Sequence, residues 1–154
     1  MKPILLIEDD DNDVLFMRDA LHKVGLRETT QVLANGQEGI NYFNGSGRFA
    51  NRERHPLPCL VLLDLNLPVV NGFEFLHWLR SQPAFKAIVV IVLTSSGAEQ
   101  DVYHAYSLGA NSYVLKPSDP LKLAELAELI KTFWFGWNVV LPACAEPAEA
   151  VVRC

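Results

Sequence analysis

Short apolar runs alternate with stretches of helical spacing along most of the chain. Residues 2–7 (KPILLI) predict a buried strand that ends abruptly in acid. Val14, Met17, Leu21 and Val24 then recur at the three- and four-residue steps of one helix face, with Gly25 as the stop. Residues 29–34 predict a strand and 36–43 a short helix; 59–63 (CLVLL) predict a second fully apolar strand, followed by a helix over 73–79 and the breakers at 81–83. The run 87–93 (AIVVIVL) predicts a third apolar strand, rich in β-branched residues. A helix over 99–108 closes at Gly109, a strand follows over 112–115, and a last helix over 120–133 begins with proline near its first position.

Five strand-then-helix units result. Strands without polar alternation are buried on both faces, as in a parallel sheet covered by helices on each side. The expected fold is therefore α/β and doubly wound: a flavodoxin-like (βα)5 domain with a five-stranded parallel sheet in the order 2-1-3-4-5. The units differ from one another, so this is not a repeat array. Two segments break the alternation. Residues 45–58 (GSGRFANRERHPLP) predict a long, solvated connection on the face away from the sheet's carboxyl ends, with contact to a partner as its other use. Residues 134–154 form a tail that is first aromatic, then Ala/Glu-rich. The expected division is one domain over 1–135 and a tail over 136–154, partly disordered or dimer-contacting.

Composition narrows the function classes. The 154 residues suit one domain, and half of them are apolar. Thirteen Lys+Arg against eighteen Asp+Glu give a net charge of -5, which argues against a nucleic-acid binder. No apolar run approaches the ~20 residues of a membrane span, and the start of the chain lacks a secretory pattern. Cys59, Cys144 and Cys154 are an odd number without metal-ligand spacing, which predicts a reducing, cytoplasmic setting. His22, His55, His77 and His104 show no ligand spacing either.

Candidate chemistry gathers at strand ends. The first strand ends in Glu8-Asp9-Asp10-Asp11, the third in Asp64, the fourth in Thr94-Ser95-Ser96 and the fifth in Lys116-Pro117. In a doubly wound sheet these ends share one edge, where ligands bind. Glu8, Asp9 and Asp64 should lie close together. Crowded carboxylates raise one another's pKa unless a cation intervenes, and a hard divalent ion such as Mg²⁺ suits oxygen donors. Lys116 offers a point charge and Thr94 a hydroxyl, which equips Asp64 to attack phosphorus. The remaining acids of the run, Asp10 to Asp13, read as a cap for the first helix, where negative charge meets the positive end of the dipole.

The set ILLIEDD, LLDLNLPVVNG, VLTSS and GANSYVLKP, in that order, resembles a response-regulator receiver domain from about residue 2 to 133. The resemblance implies a phosphorylation-activated switch of two-component signalling that is no enzyme beyond its own Mg²⁺-dependent phosphorylation and dephosphorylation. It implies Asp64 as the phospho-acceptor, Glu8 and Asp9 as Mg²⁺ acids, and the Asn66 backbone carbonyl as a further ligand. It also implies Thr94 and Tyr113 as the switch pair, Lys116 as the phosphate-binding lysine, and a cis Lys116–Pro117 bond. In this picture Thr94 moves to the phosphoryl oxygens and Tyr113 enters the space it leaves. The acidic pair is Glu-Asp where many receivers have Asp-Asp, and the longer arm still reaches a metal. The long connection and aromatic tail resemble the small regulators of bacterial phytochrome-type histidine kinases, which implies such a kinase as partner. Phe133, Trp134, Phe135 and Trp137 predict either a fold back onto the domain or a homodimer through the fourth helix, fifth strand and fifth helix.

Three rivals remain at this stage. A haloacid-dehalogenase-like phosphatase would use Asp64 as nucleophile, but its usual second acid two residues on is Asn66 here. A binding module with a vestigial pocket would show no Mg²⁺-dependent phosphorylation. A nucleotide-binding flavodoxin relative would need glycines where the loop after the first strand is acidic.

Overall fold

The three central strands place alternate apolar residues into two different layers, which is why none of the three shows polar alternation. The structure is a computed structural model that describes residues 3–26 and 30–139. The expected strand ends at Lys2 and Thr29, together with Cys144, Cys154 and the tail from 140 onward, lie outside the described residues. The strands are β1 (Ile4–Ile7), β2 (Thr30–Leu33), β3 (Leu60–Leu63), β4 (Val89–Thr94) and β5 (Ser112–Leu115). All pair in parallel, in the expected order β2-β1-β3-β4-β5. The helices are α1 (Asp11–Lys23), α2 (Gly36–Asn44), α3 (Gly72–Ser81), α4 (Glu99–Ser107) and α5 (Pro120–Ile130).

Ile4, Leu6, Leu60, Leu62, Ile91 and Leu93 face the layer of α1 and α5, where they meet Met17, Leu21, Leu123 and Ala127. Leu5, Ile7, Val61, Leu63 and Val90 face the opposite layer, against Tyr42 and Phe43 of α2 and Phe75, Leu76 and Leu79 of α3. The helices start where side chains satisfy their free N–H groups. Asp10 caps α1, Asn35 caps α2, Asp119 caps α5, and α3 opens with an Asn71/Glu74 capping box. By contrast, α4 has no side-chain cap at Ala98 and buries only Ala105. It buries fewer side chains than any of the other four helices.

Two expectations change. The 45–58 connection is not simply solvated: it carries a 3₁₀ turn at Gly47–Phe49, and Phe49 is buried. Arg52 binds it to the end of α2 by donating to the carbonyl oxygens of Tyr42 (2.7 Å) and Phe43 (2.5 Å), while the Tyr42 hydroxyl donates to Pro56 O (2.8 Å). A guanidinium with several donors can satisfy the carbonyls that a helix end leaves open. The last helix also runs past Phe133, because α5 continues into a π-helical segment, Lys131–Trp137. Trp134 and Phe135 pack back on the core of that layer, whereas Phe133 and Trp137 stay exposed. Among the described residues no helix is long and apolar enough to cross a membrane.

The turn from β3 into α3 positions the carboxyl edge of the sheet and is tightly built. Gly72 N donates to Leu65 O and Gly36 N to Val70 O, both at 2.9 Å. A Cβ on Gly72 would press on the Asp64 carbonyl oxygen and lie 2.7 Å from Leu65 Cα. Gly72→Ala is expected to lower the unfolding free energy by about 1–3 kcal/mol, read as a lower urea midpoint at unchanged slope. In the same turn Val69 is exposed and holds φ at +65°, a region that a β-branched residue enters at a penalty of ~1–2 kcal/mol. Glycine relieves that strain but loosens the unfolded chain by ~0.4–1 kcal/mol. A net gain of up to about 1 kcal/mol is therefore expected for Val69→Gly in the same measurement.

Candidate functional site: an acidic cleft at the carboxyl edge of the sheet

Register alone brings the first two groups together. Ile7 pairs with Leu63, so Glu8 and Asp64 leave neighbouring strands side by side. The ladder runs one residue further at each place: Glu8 N donates to Leu33 O (2.9 Å), Asp64 N to Ile7 O (3.0 Å) and Lys116 N to Thr94 O (2.9 Å). Backbone bonds thus hold the bases of three charged side chains, and only the side chains themselves remain free to adjust.

Lys116 is the hub. Its Nζ lies 2.5 Å from Glu8 Oε2, 2.8 Å from Asp13 Oδ2 and 3.2 Å from Asp64 Oδ2. Glu8 Oε1 also accepts from Asp10 N (3.1 Å), and Asp64 Oδ1 from Leu65 N (2.7 Å). Glu8 and Asp64 are buried, at 4% and 7% exposure, while Asp9 beside them is exposed and gives the cleft its opening. Burial pushes the Glu8 carboxyl up from its ordinary range, against the opposing pull of Lys116, and the nearby Asp64 charge pushes the same way as burial. For Lys116, burial disfavours the charge, but the hydrogen bonds to Asp13 and Glu8 and the Asp64 charge outweigh it and raise the pKa.

One carboxylate oxygen from each of Glu8, Asp9 and Asp64 can be chosen so that all lie within 4.8 Å of one another. Three hard oxygen donors from two strand ends, one of them open to water, fit a divalent cation that keeps part of its hydration shell. Asn66 follows in the exposed turn after Asp64, where its backbone could add an oxygen.

Thr94 and Tyr113 sit on the far side of the cleft. Thr94 is fully buried at the end of β4, and its Oγ1 accepts from Ser96 N at 3.4 Å. Tyr113 packs its ring against Leu65, Val92 and Ala105, and its hydroxyl donates to Ser96 O at 2.9 Å. Tyr113 is half-buried in this arrangement. Burial raises the Tyr113 pKa. Its backbone N donates outward to the Tyr106 hydroxyl of α4 (3.1 Å), and Ser96 Oγ donates to Asp101 Oδ2 (2.5 Å), so α4 is linked to this corner through polar contacts.

Asp13 is the site residue that the sequence reading missed, having assigned it to helix capping. The cap is Asp10, which accepts from the backbone N–H of both Asn12 and Asp13. Asp13 stands one turn before Met17 and two before Leu21, both buried, so it continues the core-facing row to the top of α1. That spacing was the available signal. The expected cis bond is also corrected: no peptide bond among the described residues is cis, and Lys116–Pro117 adopts the trans form that X–Pro bonds favour by about 0.5–1 kcal/mol. The ammonium reaches its three partners from this isomer.

Comparison with known proteins agrees with the geometry. The family model for the response regulator receiver domain matches residues 4–128. The chain is 36% identical over 138 residues to the probable methanogenesis regulatory protein FilR2 of Methanothrix harundinacea, covering 88% of this chain and 84% of that protein. It is 34% identical over 142 residues to the response regulator Rcp1 of Synechocystis sp., covering 92% and 94%. The crystal structure of Rcp1 in its Mn(2+)-bound form superposes with a TM-score of 0.82, at 32% identity, over 92% of this chain and all of that one. The phosphorylated cyanobacterial phytochrome response regulator RcpA superposes with a TM-score of 0.84, at 33% identity, over 92% of this chain and 99% of that one. With its sheet order, its cleft and these relatives in agreement, the chain belongs to the response regulator receiver domain family.

Proposed function

We propose that this protein is a phosphorylation-controlled switch in which Asp64 accepts a phosphoryl group from a partner histidine kinase. The observation that carries the reading is the convergence of Glu8, Asp9 and Asp64 with the Lys116 ammonium 3.2 Å from Asp64 Oδ2. In the transfer, an Asp64 carboxylate oxygen forms a bond to phosphorus, the P–N bond of the phosphohistidine breaks, and its electron pair returns to the imidazole nitrogen. Lys116 turns its charge to the phosphoryl oxygens, and the Thr94 hydroxyl donates to one of them. Glu8, Asp9, Asp64 and the Asn66 carbonyl would hold Mg²⁺, which supplies positive charge for the transferring group. The Mn(2+)-bound form of Rcp1 supports a divalent ion in this family. Asn66 has no acidic proton to offer, so a phosphatase acting on outside substrates lacks its second acid. The chain's chemistry is confined to its own phosphorylation and dephosphorylation.

Thr94 and Tyr113 form the switch pair. Phosphorylation draws the Thr94 hydroxyl toward Asp64 and Tyr113 enters the space it leaves, which in turn biases α4 through Ser96 and Tyr106. The receiver unit is taken as 1–135, with 136–154 as its tail. Output leaves through the surface of α4, β5 and α5 as a homodimer contact. Leu121 and Leu129 of α5 and Phe133 and Trp137 of the π-helical segment are exposed, as are Leu115 of β5 and Tyr103 and Tyr106 of α4. Large exposed apolar side chains on all three elements suit a self-complementary interface. The kinase is proposed to be of the phytochrome type, on the strength of RcpA and Rcp1, and the setting cytoplasmic. A net charge of -5 fits neither nucleic acid nor an acidic membrane surface as partner.

Incubation with acetyl phosphate tests the acceptor. Intact mass of the wild type is expected to rise by one phosphoryl group with Mg²⁺ and not without it, and Asp64→Asn is expected to gain none. Modification that persists in Asp64→Asn removes Asp64 from the role. For the interface, size exclusion with light scattering is expected to give a dimer for the phosphorylated wild type and a monomer for Trp137→Glu. A monomer in both cases contradicts the dimer.

A further inference from the structure

We propose that Asp13 is the positioning residue for Lys116, holding its ammonium beside the phosphoryl-accepting oxygen of Asp64 when a divalent cation claims the other carboxylates. The inference rests on the reading of Asp64 as acceptor and adds a residue to that site. Lys116 Nζ has three carboxylate partners, and two of them, Glu8 and Asp64, belong to the set that can hold a cation. Asp13, at 2.8 Å, does not. Once Glu8 and Asp64 turn their charge to the cation, Asp13 is the anion left to hold the lysine.

Packing does not do this work. Lys116, Glu8 and Asp13 line a cavity of about 240 Å³ together with the apolar side chains of Leu6, Met17 and Leu123. A lysine stem has four flexible carbons, and here it has room to swing. Charge, not shape, must fix where its nitrogen points. Asp13 is suited to that task, because it stands on the core-facing row of a capped helix whose next turns are anchored by Met17 and Leu21. Asp11 shares the first turn and its favourable dipole position but is exposed, so it separates a general first-turn charge from a specific bond to Lys116.

The test compares Asp13→Asn, Asp13→Glu and Asp11→Asn with the wild type, using acetyl phosphate at saturating Mg²⁺. Loss of one charge-assisted bond in the reacting geometry is expected to lower the maximal phosphorylation rate of Asp13→Asn by about tenfold or more, with Asp13→Glu and Asp11→Asn within about threefold of wild type. A second readout needs no phosphoryl donor: with Mg²⁺ bound, the ¹H–¹⁵N signal of the Lys116 ammonium is expected to be sharp in the wild type and to broaden or vanish in Asp13→Asn, while without metal Glu8 and Asp64 keep it in both proteins. An Asp13→Asn rate within about twofold of wild type overturns the proposal, as does an equal fall in Asp11→Asn or an unchanged ammonium signal with Mg²⁺ bound. If the wild type itself takes up no phosphoryl group, the acceptor role of Asp64 fails and this inference fails with it. A wild type that is phosphorylated beside an equally active Asp13→Asn removes only the role of Asp13.

Discussion

One ammonium shared among three carboxylates is the constraint around which this protein is organised. Glu8 and Asp64 are buried where charge is expensive, and Lys116 answers both of them and Asp13 as well. Removing charges from water carries a penalty of several kcal/mol per ion, which pairing offsets only with good geometry and further hydrogen bonds. Burial holds the Glu8 carboxyl above its ordinary range even with the Lys116 ammonium beside it, and the Asp64 charge adds to that push. The cluster is therefore poor as a stabilising device and well suited to attract a cation and then a phosphoryl group.

The rest of the fold keeps that cluster in place. Parallel pairing sets Ile7 opposite Leu63, and each ladder ends with a backbone bond made by the functional residue itself. Apolar side chains on both faces lock the register, because a one-residue slip would exchange the contents of the two layers. The turn after Asp64 closes against Gly72, where even a methyl group does not fit. Rigidity is concentrated there. On the other side of the cleft α4 buries one small residue and is reached through Ser96, Tyr106 and Tyr113. An element with little buried surface, linked by polar contacts to the cleft, is suited to shift when the charge there changes.

Much of this was legible in the sequence because it depends on strand ends. Apolar runs fix where the strands are, parallel order fixes which ends meet, and Glu8, Asp9, Asp64 and Lys116 follow. What was not legible depends on side-chain reach across elements. Asp13 looks like one more acid in a first helical turn, and only its place four residues before Met17 points inward. Arg52 and Phe49 lie in a polar stretch whose folding onto α2 comes from long-range contacts with the end of that helix. The aromatic tail offered two alternatives, and the structure divides it: Trp134 and Phe135 turn in, Phe133 and Trp137 turn out. A π-helical turn shifts residues around the axis, which a count in steps of 3.6 does not anticipate.

Glu8, Asp9 and Asp64 are short of positive charge, since the one ammonium near them is shared with Asp13. Calorimetric titration of the protein with Mg²⁺ tests it directly. One saturable site per chain is expected at neutral pH. Affinity should weaken as the pH falls through the raised range of the Glu8 carboxyl, because protonation there removes a donor the cation needs. A protein that binds no Mg²⁺ in a saturable manner, or binds it equally well after Glu8, Asp9 and Asp64 are all replaced by their amides, would contradict it.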